Sequence, residues 1–211
     1  MKEQEINERQ SIEIITAMIA QTKQRLHIGD GNIMLMWGYL TVSVSILIGT
    51  LLFVTGNQVW NWLWFLIFVI GGITSPVMAK RQKAKVGFKT FTDRLSNGIW
   101  SLVGWTGTFS TLVCLALFLF AGKDSWRIML VFALLTVGII EAVQGMIIKE
   151  KSLVYGGAAG MAAGIVTMAC IAAAIPLYLC WYMPMFAAAW VCMMIIPGHI
   201  LNHKAKARLS K

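Results

Sequence analysis

Six runs of about 20 apolar residues dominate the chain: Ile33–Val54, Trp60–Ala79, Gly98–Phe120, Trp126–Ile148, Leu153–Ile175 and Tyr178–Leu201. A helix needs about that length to cross a hydrocarbon core of roughly 30 Å. Lipid offers no water to satisfy a free backbone amide or carbonyl, so runs of this kind must be helical. A helix at the surface of a soluble bundle carries a polar face, and these runs have none. The expectation is an all-α integral membrane bundle of six transmembrane helices in three hairpins. Pro176 and Leu177 separate the last two runs, which implies a tight turn, and Pro184 leaves the start of the sixth helix open between 176 and 184. Only 13% of the residues are charged, against roughly 25% in soluble domains, which excludes a soluble enzyme and a disordered chain.

Residues 1–31 have a different character. Ile12, Ile15, Ile19 and Leu26 recur at helical spacing, with Ile14 and Met18 widening the stripe, so an amphipathic helix is expected from about Glu8 to His27. Asn7 serves as its N-cap with Gln10 three residues on, and Gly29-Asp30-Gly31 ends it. Glu8 and Glu13 fall in early turns and Lys23, Arg25 and His27 in late ones, the order that suits the helix dipole. The acidic start (Glu3, Glu5, Glu8) does not read as a secretory signal. The expected division is a cytoplasmic amphipathic helix over 1–31, a transmembrane domain over 32–201 and a basic cytoplasmic tail over 202–211.

Of the eighteen Lys and Arg residues, sixteen fall on one side of the expected bundle and two, Lys123 and Arg127, on the other. The positive-inside rule then places both termini in the cytoplasm. The same asymmetry accounts for the net charge of +9. Anionic headgroups at the cytoplasmic face are the expected partner, and no nucleic acid is implied, because the basic loop from Lys80 to Asn97 is too short for a DNA-reading module. Trp60, Trp62, Trp64, Trp126, Tyr178, Trp181 and Tyr182 are expected at the outer interface and Trp37, Tyr39, Trp100 and Tyr155 at the inner one. Trp190 lies inside the sixth run.

Glu141 is the only acidic residue within any of the six runs. A carboxylate near the centre of a membrane helix costs about 2.5–3.5 kcal/mol on insertion scales, and such residues mark ion paths or relays by default. Gln144 follows at i+3, and Gly138 and Gly145 flank the pair, making a polar notch where another helix can approach. His199 on the sixth run is its candidate partner. Glu141, Gln144 and His199 thus form the candidate intramembrane polar site, read either as a protonatable gate or cation site or as a structural hydrogen-bonded group. His199 and His203 share a helix face, but nothing completes a metal-ligand set, and no metal or cofactor is expected. The four cysteines, Cys114, Cys170, Cys180 and Cys192, have no paired spacing and read as core residues.

Gly156, Gly160 and Gly164 form a GxxxGxxxG ladder on the fifth run, a device that lets helix backbones approach closely. Its partner is a helix of the same chain or of a second subunit, which leaves a homo-oligomer open. The even-numbered runs each carry helix-perturbing residues: Gly71, Gly72 and Pro76, then Gly138 and Gly145, then Pro197 and Gly198. Interrupted helices are a recurring transporter device. Hydroxyl stripes (Thr41 and Ser45; Ser101, Thr108 and Thr111) either line a polar path or bond the carbonyl one turn back. No enzymatic motif is present.

The segments SIEIITAMIAQTKQRL, GNIMLMWGYLTVSVSILIG and GNQVWNWLWFLIFVIGG resemble a group of small uncharacterised multispanning membrane proteins of Bacteroidota bacteria. The resemblance spans most of the chain, is most specific over residues 11–72, and implies a cytoplasmic-membrane location with no established activity to transfer. Two functions are expected, the first ahead of the second. One is a non-enzymatic regulatory, sensory or accessory role, with the N-terminal helix at residues 8–27 meeting a cytosolic or membrane partner through Ile12, Ile15, Ile19 and Leu26. The other is a small transporter or channel using Glu141 and the interrupted even-numbered helices.

Overall fold

The computed structural model describes residues 12, 30–86 and 91–209. Every regular element among them is helical. Helix α1 spans Asp30–Thr55; a 3-10 turn over Gln58–Trp64 leads into α2, Phe65–Val86; α3 is Phe91–Ala121, α4 Arg127–Ile148 and α5 Lys151–Ala172. Helix α6 covers Leu179–Trp190 and continues through a π-helical turn at Val191–Ile195 into α7, Ile196–Leu209. Six stretches are long and apolar enough to cross a membrane: Gly31–Thr55, Gln58–Arg81, Leu95–Ala121, Arg127–Ile148, Lys151–Ala172 and Leu179–Ala207. Each matches one apolar run of the sequence, so the described residues form an all-helical bundle whose six long apolar helices are compatible with a multi-pass membrane protein. The amphipathic helix expected over 8–27 lies outside the described residues except for Ile12, which is helical and exposed.

Local chemistry sets the boundaries. Asn57 caps the 3-10 turn, its side-chain oxygen accepting from the Val59 amide at 3.0 Å. Helix α4 ends in a Schellman turn: Lys149 is left-handed (φ 60°), and the Glu150 amide reaches back to the Gly145 carbonyl at 2.8 Å. Helix α5 ends the same way at Ala174 (φ 54°), with the Ile175 amide on the Cys170 carbonyl at 2.8 Å. This stops α5 at Ala172, short of the end of its apolar run. The sixth span instead runs past its apolar run, because residues 202–209 continue α7.

The spans pack as neighbours in chain order except between the second and third, and the sixth also packs on the first. Helices α4 and α5 share the most extensive interface; α5 also packs on the sixth span, the sixth span on α1, α1 on α2, and α3 on α4. Across the bundle the order is therefore 3-4-5-6-1-2. At one end, Trp62 and Phe65 meet Trp126, and Trp62 also meets Phe118, bringing the start of the second span to the α3–α4 turn. The opposite end is polar. There Asn202 accepts from the Gly31 amide (3.2 Å) and donates to Asn32 (2.7 Å), and Lys204 pairs with the nearly buried Glu150 at 2.5 Å. The core lies between these ends, around Leu134, Leu153, Phe186, Trp190 and Met193.

Small residues make this packing possible. A Cβ on Gly156 would lie 2.6 Å from the Cys192 carbonyl oxygen, one on Gly160 would enter the Met193 side chain, and one on Gly164 would meet Leu135 at 2.7 Å. The GxxxG ladder is thus consumed within the chain, two glycines against the sixth span and one against α4. Only the sixth of the even-numbered spans is interrupted inside the bundle. Glycine keeps its amide, so α4 runs unbroken through Gly138 and Gly145, and α2 runs through Pro76. Pro197 has no amide for the Met193 carbonyl and its ring crowds it, which the wider π turn just before it accommodates. Tyr182 and Trp190 are core residues, not interfacial ones.

Candidate functional site

Glu141 sits on the buried stripe of α4 formed by Leu134, Val137, Gly138, Ala142 and Gly145. It is 0% exposed, and neither carboxylate oxygen has a hydrogen-bond partner among the described residues. Its position follows from the glycines around it. Gly138 lies against Gly157 and Met161, and Gly157 against Ala142, so no side chain at these points separates the α4 and α5 backbones. Glu141, one turn from both Gly138 and Gly145, is therefore built into the most extensive interface among the described helices.

The helix register places other polar groups at the same depth. Gly160 meets Met193 of the π turn, and Gly38 of α1 meets Met194 and Ile195. With a rise of about 1.5 Å per residue, Glu141, the π turn, Trp190 and Thr41 all fall within about one helical turn along the bundle axis. Thr41 Oγ1 and Trp190 Nε1 are also buried without a partner. The carbonyl of Thr41 is taken by the Ser45 hydroxyl at 2.6 Å. Ser45, Thr108 and Thr111 all bond the carbonyl one turn back, so these hydroxyls are held by their own helices.

Gln144 and His199 do not join Glu141. Gln144 Oε1 accepts from Trp100 Nε1 at 2.7 Å, a bond that ties α4 to α3. His199 is exposed, and its Nε2 lies 2.7 Å from the Tyr39 hydroxyl on α1, with the two rings edge to face. The three candidate residues thus take three separate environments, and the expected pairing of Glu141 with His199 is absent. His203 is exposed one turn beyond. Ile15, Ile19 and Leu26 lie outside the described residues. Two features were missed in the sequence. Trp190 is one, although a single indole deep inside an apolar run is itself a signal. Glu150 is the other, and nothing local in the sequence marks it as the partner of Lys204.

No family model, curated protein or solved structure matches the chain. Function therefore has to be read from the chemistry of these residues.

Proposed function

We propose that the chain is a small transporter or channel of the bacterial cytoplasmic membrane, with both termini cytoplasmic, that moves protons or a small cation through the layer containing Glu141 and carries out no enzymatic reaction. One observation carries this reading: a fully buried carboxyl without a hydrogen-bond partner lies at the depth of the one π turn among the described spans. An unpaired buried polar group costs about 1–3 kcal/mol, more if charged. That cost is relieved when a proton, a cation or a rearranged neighbour meets the carboxyl, so occupancy of the site is coupled to packing. Broken or widened helix turns beside such residues are where transporters place their sites. Gln144 and His199 serve in this reading as anchors of α4 to α3 and of the sixth span to α1.

The test is proton and alkali-cation flux into liposomes containing the purified full chain or its Glu141→Gln variant. Flux in the wild type that is lost in the variant supports the reading. Equal flux in both removes Glu141 from it, and no flux above empty liposomes removes the transporter altogether.

A second reading is a regulatory, sensory or accessory role exercised through residues 8–27 and anionic headgroups or a protein partner at the cytoplasmic face. The exposure of Ile12 on a helix favours it. Deleting residues 1–28 should abolish recovery of a partner while insertion is retained; unchanged recovery removes this reading.

A further inference from the structure

The seam between α4 and α5 does not stay closed along its whole length. It is tightest from Gly145 and Leu153 to Leu135 and Gly164, where one side of each contact is glycine. One turn further toward the aromatic end the glycines stop. Ile128, Val131 and Phe132 on α4 then face Met168, Ile171 and Ala172 on α5, each trio at i, i+3, i+4 spacing. The two helices there leave a groove of about 390 Å³ between them, lined by these six apolar side chains. The lining offers no hydrogen bond, so its occupant is hydrocarbon. Arg127, which opens α4 immediately before Ile128, is exposed and has no ion pair among the described residues. Arg127 is one residue before Ile128 and one helical turn before Val131, so it is the basic residue of α4 next in the chain to the groove.

We propose that this groove binds one acyl chain of an anionic phospholipid, with the headgroup phosphate on Arg127. The site lies at the end of the bundle opposite the Glu150–Lys204 pair and is independent of the reading of Glu141. Its chemistry divides between the two halves: the groove selects a chain, and Arg127 selects the charge.

The purified full chain, stripped of lipid in detergent, is titrated with phosphatidylglycerol and with phosphatidylcholine, and bound lipid is counted by native mass spectrometry. One phosphatidylglycerol per chain is expected, retained over phosphatidylcholine by about fivefold, the worth of one basic side chain near an anionic surface. Arg127→Gln should bring that ratio to one. Met168→Trp and Ala172→Trp, which fill the groove, should lose the retained lipid, whereas Val166→Trp on the other, exposed side of α5 should keep it. Equal retention of both lipids by the wild type, or full retention by the groove-filling variants, overturns the proposal and leaves an adventitious lipid only.

Discussion

Replacing Gly138 by alanine places a Cβ 2.8 Å from the Gly157 carbonyl oxygen and 2.9 Å from the Met161 amide nitrogen. Both are backbone atoms in the middle of α5, so no side chain can swing aside. Ordinary contact begins at 3.4 Å, and close-packed interiors yield little, so α4 and α5 must part by about half an ångström. Overpacking of this kind costs about 1–3 kcal/mol. Alanine also returns about 0.5–1 kcal/mol by favouring the helix over the unfolded chain. Gly72 on α2 isolates the two contributions, because a Cβ there meets nothing within 4 Å. Gly72→Ala should keep the helical gain without the clash, and the gain cancels when the two variants are compared. Gly138→Ala should therefore be less stable than Gly72→Ala by about 1–3 kcal/mol. The assay is reversible unfolding in mixed micelles of increasing denaturing-detergent fraction, followed by tryptophan fluorescence. Agreement of the two variants to within about 0.5 kcal/mol, the usual size of a neutral surface change, would refute the packing argument.

Three further outcomes can be read in the same assay. Ala174→Gly should raise stability by about 1 kcal/mol by removing a left-handed alanine at the end of α5; a loss would show that the Cβ is needed there. Lys204→Met should cost about 1–2 kcal/mol, less than a fully buried pair because the lysine is half exposed. Adding Glu150→Gln should restore most of that loss, and failure to do so would mean that the two residues do not act together. Trp100→Phe should cost about 1 kcal/mol through its bond to Gln144. In a Gln144→Leu background the same change should cost almost nothing, and full additivity would exclude the bond.

How much was legible in advance depended on the kind of fact. The six spans were readable because hydropathy is itself the condition for entering lipid, and Ile33–Val54 became Gly31–Thr55 with little change. The limit of the sixth span was not, because a helix persists wherever its backbone bonds do. Asn202 and Lys204 extend it with side-chain partners on α1 and at Glu150. The ladder at Gly156, Gly160 and Gly164 announced close packing, but its division between two neighbours depends on helix rotation, which spacing does not encode. For the candidate site, Glu141 stands out in the sequence as the one acid within the apolar runs, and the structure buries it. Its isolation was beyond reach, because the real partner of His199, Tyr39, lies 160 residues away in sequence. The π turn carries no composition signal of its own beyond Pro197.

The 3-4-5-6-1-2 order has a consequence for biogenesis. Helix α1 finds its main partner in a span made some 160 residues later. At about 5–20 residues per second, the ribosome needs roughly 8–32 s to supply it. During that interval the face of α1 bearing Thr41 and Ser45 stands against lipid or the insertion machinery, with only α2 beside it. A nascent chain stalled before the sixth span would therefore leave that face of α1 uncovered. Synthesis of the sixth span is then the step that covers this face of α1.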